Sequence, residues 1–189
     1  MTVESPASAY DMNYAAEADN LATFAVLVDN EPGVLHRVVG LFASRGYNIE
    51  SLTVAETDRN AHTSRITIVT RGTLQVLAQI EAQLQKMVST RHVQNVTKDP
   101  NGVERELALI KVAGVGAERM EALRLADIFR AKVIDTTIAS FIFEITGSPP
   151  KIDKFLDLMR PLGLGEVSRT GVLSIERGAT LGSGVQSGD

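Results

Sequence analysis

Short β-branched runs alternate along this chain with apolar residues at helical spacing. Residues 23–28, TFAVLV, are continuous and predict a buried strand. Leu35, Val38, Val39 and Phe42 follow at i, i+3, i+4 and i+7, one face of a helix, and Gly46 stops it. NIESLTVAET (48–57) reads as a strand and DRNAH (58–62) as a turn. In SRITIVT (64–70), Ile66 and Ile68 alternate with Arg65 and Thr67, the period of a half-exposed strand. A second helical stripe, Leu74, Leu77, Ile80, Leu84 and Met87, follows Gly72, and HVQNVT (92–97) closes the set as a strand.

The order β-α-β-β-α-β then recurs. KDPNGVE (98–104) holds a Pro-Asn-Gly turn and reads as a short linker. ELALIKV (106–112) is a strand, and Ala122, Leu125, Ala126 and Phe129 form a helical stripe. KVIDTTI (132–138) and SFIFEI (140–145) form a strand pair with Phe141, Phe143 and Ile145 on one face. Ser148 and Pro149 read as the cap and first residue of a helix carrying Ile152, Phe155, Leu156 and Met159, which Pro161 ends. GVLSIE (171–176) supplies a last strand, expected beside EVSR (166–169). The fold class is α+β: two tandem ferredoxin-like βαββαβ units, each a four-stranded antiparallel sheet with its helices on one face. The expected division is an arm over 1–22, a first unit over 23–97, a linker over 98–102, a second unit over 103–178 and a flexible tail over 179–189.

Composition narrows the functions open to such a chain. Its 189 residues are 44% hydrophobic and 22% charged, as in a soluble globular protein. Units this small bury a smaller share of their surface than one large domain does, so association into an oligomer is expected. The net charge of -4, with basic residues spread rather than clustered, argues against nucleic acid. With no cysteine there is no disulfide, thiolate metal site or Cys nucleophile, which fits a reducing cytoplasm. No apolar run reaches the roughly 18 residues that cross a bilayer. The first basic residue is Arg37, so the N-terminus does not read as a secretory signal.

No catalytic constellation assembles. His36, His62 and His92 fall on a helix start, a turn and a strand start, without ligand-like spacing, and read as surface or packing histidines. VAGVGAER (112–119) has Gly114 and Gly116, but Arg119 stands where a dinucleotide fingerprint needs its third glycine, so it reads as a strand-to-helix turn. The carboxylates, Glu118 and Glu121 among them, spread along exposed helix faces rather than pairing in an apolar pocket. No metal ligand, cofactor-binding residue or catalytic residue is assigned to the chain.

DNEPGVL (29–35) is the exception. Pro32 suits a first helical position, and Gly33 leaves room for a ligand to approach the backbone. The free amides of Gly33, Val34 and Leu35 then point outward at the positive end of a helix dipole, where a carboxylate is a natural guest. Asn30 adds a side chain that both donates and accepts. A free α-amino acid suits this geometry, and so does a helix start that holds nothing; local chemistry leaves both open.

The residues themselves carry a resemblance. DNEPGVLHRVVGLFASRGYNIESLTVAETD closely resembles the ACT-domain segment of the small, regulatory subunits of acetolactate synthase (acetohydroxyacid synthase). SRITIVT, QIEAQLQKMV, VERELALIKV, IFRAKVID and RTGVLSIERG extend it over about residues 23–178. The resemblance implies a non-catalytic, cytoplasmic protein that activates a large catalytic subunit and transmits feedback inhibition by valine in branched-chain amino-acid biosynthesis. The partner is expected to hold thiamine diphosphate, magnesium and FAD. It also implies a homodimer joined through the ACT domains, with valine between Asn30, Gly33, Val34 and Leu35 of one chain and Asn48 and Ile49 of the other. His36, beside the loop, stands where the family often has a small hydroxyl residue, and it joins the candidate site on that account. The alternative is an ACT-type amino-acid sensor acting on another enzyme or on a transcription factor.

Overall fold

A computed structural model describes residues 19–177. The first four-stranded sheet is built from β1 (Asn20–Asp29), β2 (Ile49–Asp58), β3 (Thr63–Gly72) and β4 (Thr90–Asn95), in the order β2-β3-β1-β4 with antiparallel neighbours. Two helices, α1 (Val34–Arg45) and α2 (Leu74–Gln85), make the crossovers. Phe24, Val26, Val28, Ile66 and Ile68 face Val34, Val38, Phe42, Leu77, Ile80 and Leu84 in one core. β1 already begins at Asn20, so residues 20–22 of the expected arm are strand. Residues 1–18 of the arm, and the tail, lie outside the described residues.

In the second unit β5 (Gly102–Ala113), α3 (Gly116–Phe129), β6 (Lys132–Thr136), β7 (Ser140–Gly147), α4 (Pro149–Met159), β8 (Leu164–Arg169) and β9 (Leu173–Glu176) follow one another. The sheet order is β6-β7-β5-β8, with β9 also paired to β5. The last strands therefore do not pair with each other as expected. β8 takes the later half of β5, Ala108–Val112, and β9 takes its start, Gly102–Arg105. β5 is long enough to serve both because it extends four residues earlier than its apolar run. Phe143 lies at the centre of this core, 5.4 Å from Phe141 and 6.1 Å from Phe155 between ring centres. Arg119 stacks its guanidinium 3.8 Å from the centre of the Phe141 ring, a packing role at the place a phosphate loop would need glycine.

Periodicity misassigns a few faces. On α1 the buried stripe is Val34, Val38 and Phe42, while Leu35 and Val39 stay outside. Leu74, at the first position of α2, is 69% exposed. β3 is covered on both sides rather than half-exposed: Thr67 and Val69 are buried, as are Thr23 and Ala25 beside them on β1. The cover comes from the second unit and from the single-turn helix at Val96–Lys98. Thr97 Oγ1 accepts from the Thr23 amide at 2.8 Å, and Ser51 Oγ accepts from the Val172 amide at 3.2 Å. Arg65, half-buried on the same face, has its pKa lowered from the ordinary value by burial. A polar period on a strand thus marks here a face closed by hydroxyls rather than by water.

Phe155→Ala should lower the unfolding free energy by about 3–5 kcal/mol, the usual cost of emptying an aromatic core site. Leu74→Ala should change it by less than about 0.5 kcal/mol. Equilibrium urea unfolding checks both, and equal effects would contradict the assignment of faces.

Candidate functional site

The loop from Asp29 to Gly33 is held at several points before any ligand arrives. The Asp29 amide donates to the Ser89 carbonyl at 2.8 Å, and the Asn30 amide to the His62 carbonyl at 2.7 Å. Arg91 Nε reaches the Asp29 carboxylate at 2.6 Å. Arg37, one turn into α1, donates to Ser89 Oγ at 2.6 Å and to Glu31 at 3.1 Å. The Arg37–Glu31 ion pair is half-exposed, worth at most about 1 kcal/mol, so it orients the loop more than it stabilises the fold.

Pro32 is not the first helical residue. α1 begins at Val34, Gly33 is its N-cap with φ +83°, and Pro32 sits in the turn before it. Gly33 is therefore required by its left-handed backbone as well as by the open space around it, since a Cβ there would meet nothing within 4 Å. The turn also changes which amides are free. The Val34 amide bonds back to the Glu31 carbonyl at 3.2 Å, and the Arg37 amide bonds the Gly33 carbonyl at 3.0 Å. Among the described residues no oxygen accepts from Gly33, Leu35 or His36. The donor set is thus Gly33, Leu35 and His36; Val34 drops out of it and turns its side chain into the core. No acidic residue lies in the first turn to satisfy the helix end.

The structure places His36 exposed beside these amides. Asn30 lies at the loop's outer side, its Nδ2 3.4 Å from Glu56 near the end of β2. Glu56 carries no signal in the sequence; only the pairing of β2 with β3 brings it to the loop. Asn48 and Ile49 lie elsewhere. Asn48 Nδ2 donates to Glu50 at 3.0 Å and its carbonyl accepts from Thr70 Oγ1 at 2.6 Å, while Ile49 packs against the core. The loop adjoins the end of β3 at Thr63, whereas Ile49 pairs with Thr70, so the two groups are separated by about 23 Å of strand. One chain does not bring the candidate residues together. The sheet order leaves β2 as an outer strand, with Val54 exposed on it, and the exposed Leu35 and Val39 stand on α1. Two cavities lie apart from the free amides, one of about 590 Å³ between α1 and residues 87–89 and one of about 480 Å³ between the two units.

The fold and this loop meet known families in both halves. Residues 24–92 match the model of the AHAS small subunit-like ACT domain, and residues 105–178 match the small subunit of acetolactate synthase. The chain is 48% identical to a probable acetolactate synthase small subunit of Archaeoglobus fulgidus over 156 residues, 82% of this chain and 96% of the relative. It belongs to the acetolactate synthase small-subunit family. An acetolactate synthase small subunit of Haemophilus influenzae is 45% identical over 82% of this chain and 94% of its own length. The crystal structure of the acetolactate synthase small subunit from Thermotoga maritima superposes with a TM-score of 0.75 at 38% identity, covering 85% of this chain and 99% of that one. The chain is accordingly a regulatory rather than a catalytic subunit, with a role in the control of branched-chain amino-acid biosynthesis. Among the described residues no helix is long and apolar enough to cross a membrane.

The cap geometry has a direct consequence. Gly33→Ala should cost about 1–2 kcal/mol from the left-handed backbone alone, and Gly33→Asn less, because asparagine tolerates that conformation. Urea unfolding of the two variants checks the order, and an Ala variant as stable as wild type would contradict it.

Proposed function

We propose that the chain activates a large catalytic acetolactate synthase subunit and makes it answer to valine. On this reading the partner carries the thiamine diphosphate, magnesium and FAD and does the chemistry, in the cytoplasm. Two copies of this chain associate through their ACT units, and valine binds where they meet. The observation that carries the reading is the three free amides at the start of α1, on a pre-formed loop and without an acidic neighbour in the first helical turn. Such a helix end takes a carboxylate, and the Asn30 side chain offers an oxygen to an ammonium group.

The separation of the two residue groups supports an interface rather than opposing it. β2 is an edge, and an unpaired edge invites a second strand. A twofold axis through the middle of β2 sets the start of one β2 against the end of the other. Asn48 and Ile49 of one chain then come to the partner's residues 56–58, next to the loop whose Asn30 already touches Glu56. Leu35 and Val39, left bare on α1, fall beside that seam and give valine's side chain and the partner helix an apolar wall. A ligand that touches both chains binds one dimer arrangement better than others and so shifts the equilibrium between them.

Gly33→Asp places a carboxylate where valine's carboxylate would lie; the side chain meets open space, and the left-handed backbone carries a strain of the same kind as in Gly33→Ala. Reconstituted with its cognate large subunit, this variant should still activate the enzyme while the rate no longer falls as valine is raised. Coincident inhibition curves for variant and wild type would contradict the site.

A further inference from the structure

The two units touch through an elbow whose position on the effector strand is specific. Residues 170–172 connect β8 to β9 and lie on β2 of the first unit. Thr53 Oγ1 donates to the Thr170 carbonyl at 3.3 Å, and Ser51 Oγ accepts from the Val172 amide at 3.2 Å. Between them Gly171 has φ +83°, and a Cβ there would lie 2.6 Å from Ser51 Oγ and 2.7 Å from Thr53 Oγ1. The close approach of two backbones through two hydroxyls therefore demands glycine at this position.

The two sides of this contact differ in stiffness. On the side of the second unit, Thr170 is bonded to β5 three times: its amide to the Leu107 carbonyl at 3.0 Å, and its hydroxyl with the Leu107 amide at 3.1 Å and carbonyl at 3.3 Å. The preceding Arg169 binds Glu106 at 2.7 and 2.6 Å and Asp153 of α4 at 2.6 Å. These hydrogen bonds, first those to Glu106, raise the Arg169 pKa further above its ordinary value. On the other side β2 pairs, among the described residues, with β3 alone, and its register breaks between Ile49 and Ser51 and again between Glu56 and Asp58. The first irregularity lies between the residues proposed to touch effector and the residues that hold the elbow, where a strand bends most readily. The cavity of about 480 Å³ beside it, lined by Glu50, Leu52, Asp153, Arg169 and Val172, leaves room for relative movement.

We propose that the elbow Thr170–Val172, seated on Ser51 and Thr53, couples the effector site to the second unit. The proposal rests on the valine reading of Asn48 and Ile49 at the start of β2. A ligand that fixes the start of β2 against a neighbouring chain changes where Ser51 and Thr53 stand. The elbow carries that change to β5 and α4, which the Arg169 ion cluster ties into one body. The hydroxyls and Gly171 are positioning residues and touch no effector themselves.

The test separates binding from its consequence in the reconstituted holoenzyme. Valine binding is measured by calorimetry, and inhibition by rate against valine, for wild type, for Ser51→Ala with Thr53→Val, and for Gly171→Ala. Both variants should bind valine within about twofold of wild type. At equal valine occupancy the inhibition should be weaker by roughly fivefold or more, within the span of allosteric coupling energies. Ser51→Thr, which keeps a hydroxyl, should restore coupling when Thr53 is native. Inhibition that tracks occupancy as in wild type would overturn the proposal, as would binding and inhibition falling together. Wild-type protein that binds no valine would instead overturn the effector reading, and the coupling with it.

Discussion

The free outer edge of β2 is the constraint on which this structure turns. β2 is paired to β3 on one side, and its other side carries backbone amides and carbonyls that no strand of the described chain satisfies. An edge of this kind is resolved by covering it or by pairing it. The second unit does neither: its elbow lies on the sheet face, through the Ser51 and Thr53 side chains, and leaves the backbone edge open. The edge, the bare Leu35 and Val39 and the free amides of the loop thus lie where a second copy would meet them. In the proposed dimer these features become one device, in which pairing the edges completes two sites that neither chain holds alone.

The loop before α1 shows how local chemistry serves that arrangement. A left-handed Gly33 breaks the run of amides, so the donors left open are Gly33, Leu35 and His36 rather than three in succession. The ties from Arg37, Arg91 and Ser89 fix their direction in advance. Donors that need no rearrangement lose less of the binding energy to ordering. The positive end of the α1 dipole adds to this without any basic side chain in the loop. That explains why the charge pattern of the sequence carried no mark of an anion site.

Much of the architecture is legible from periodicity because each helix buries a stripe against a sheet face of alternating residues. Phe141, Phe143 and Ile145, and the stripe from Ile152 to Met159, are assigned by spacing and are buried as assigned. Periodicity fails where a face is closed by something remote in sequence. Thr67 looks half-exposed until the second unit and the single turn at Val96–Lys98 close that face of the sheet. The pairing of the last two strands escapes periodicity for a related reason: β5 is longer than its apolar core, and its polar start, Gly102–Arg105, is what β9 pairs. At the loop, spacing located the helix start within two residues but could not reveal that Val34 spends its amide on Glu31. Gly171 was legible only as part of a family landmark, since its meaning depends on hydroxyls more than a hundred residues away.

The central claim is that two chains share each effector site, and mixing variants tests it most directly. Gly33→Asp disables the loop half and Asn48→Asp the strand half, so each protein alone should bind no valine. After subunit exchange between equal amounts, each mixed dimer holds one site built from an unaltered loop and an unaltered strand. Calorimetry on the mixture should then recover binding at about one quarter of the wild-type capacity, as random exchange about a twofold requires. A mixture that binds no more than its separate components would contradict the shared site.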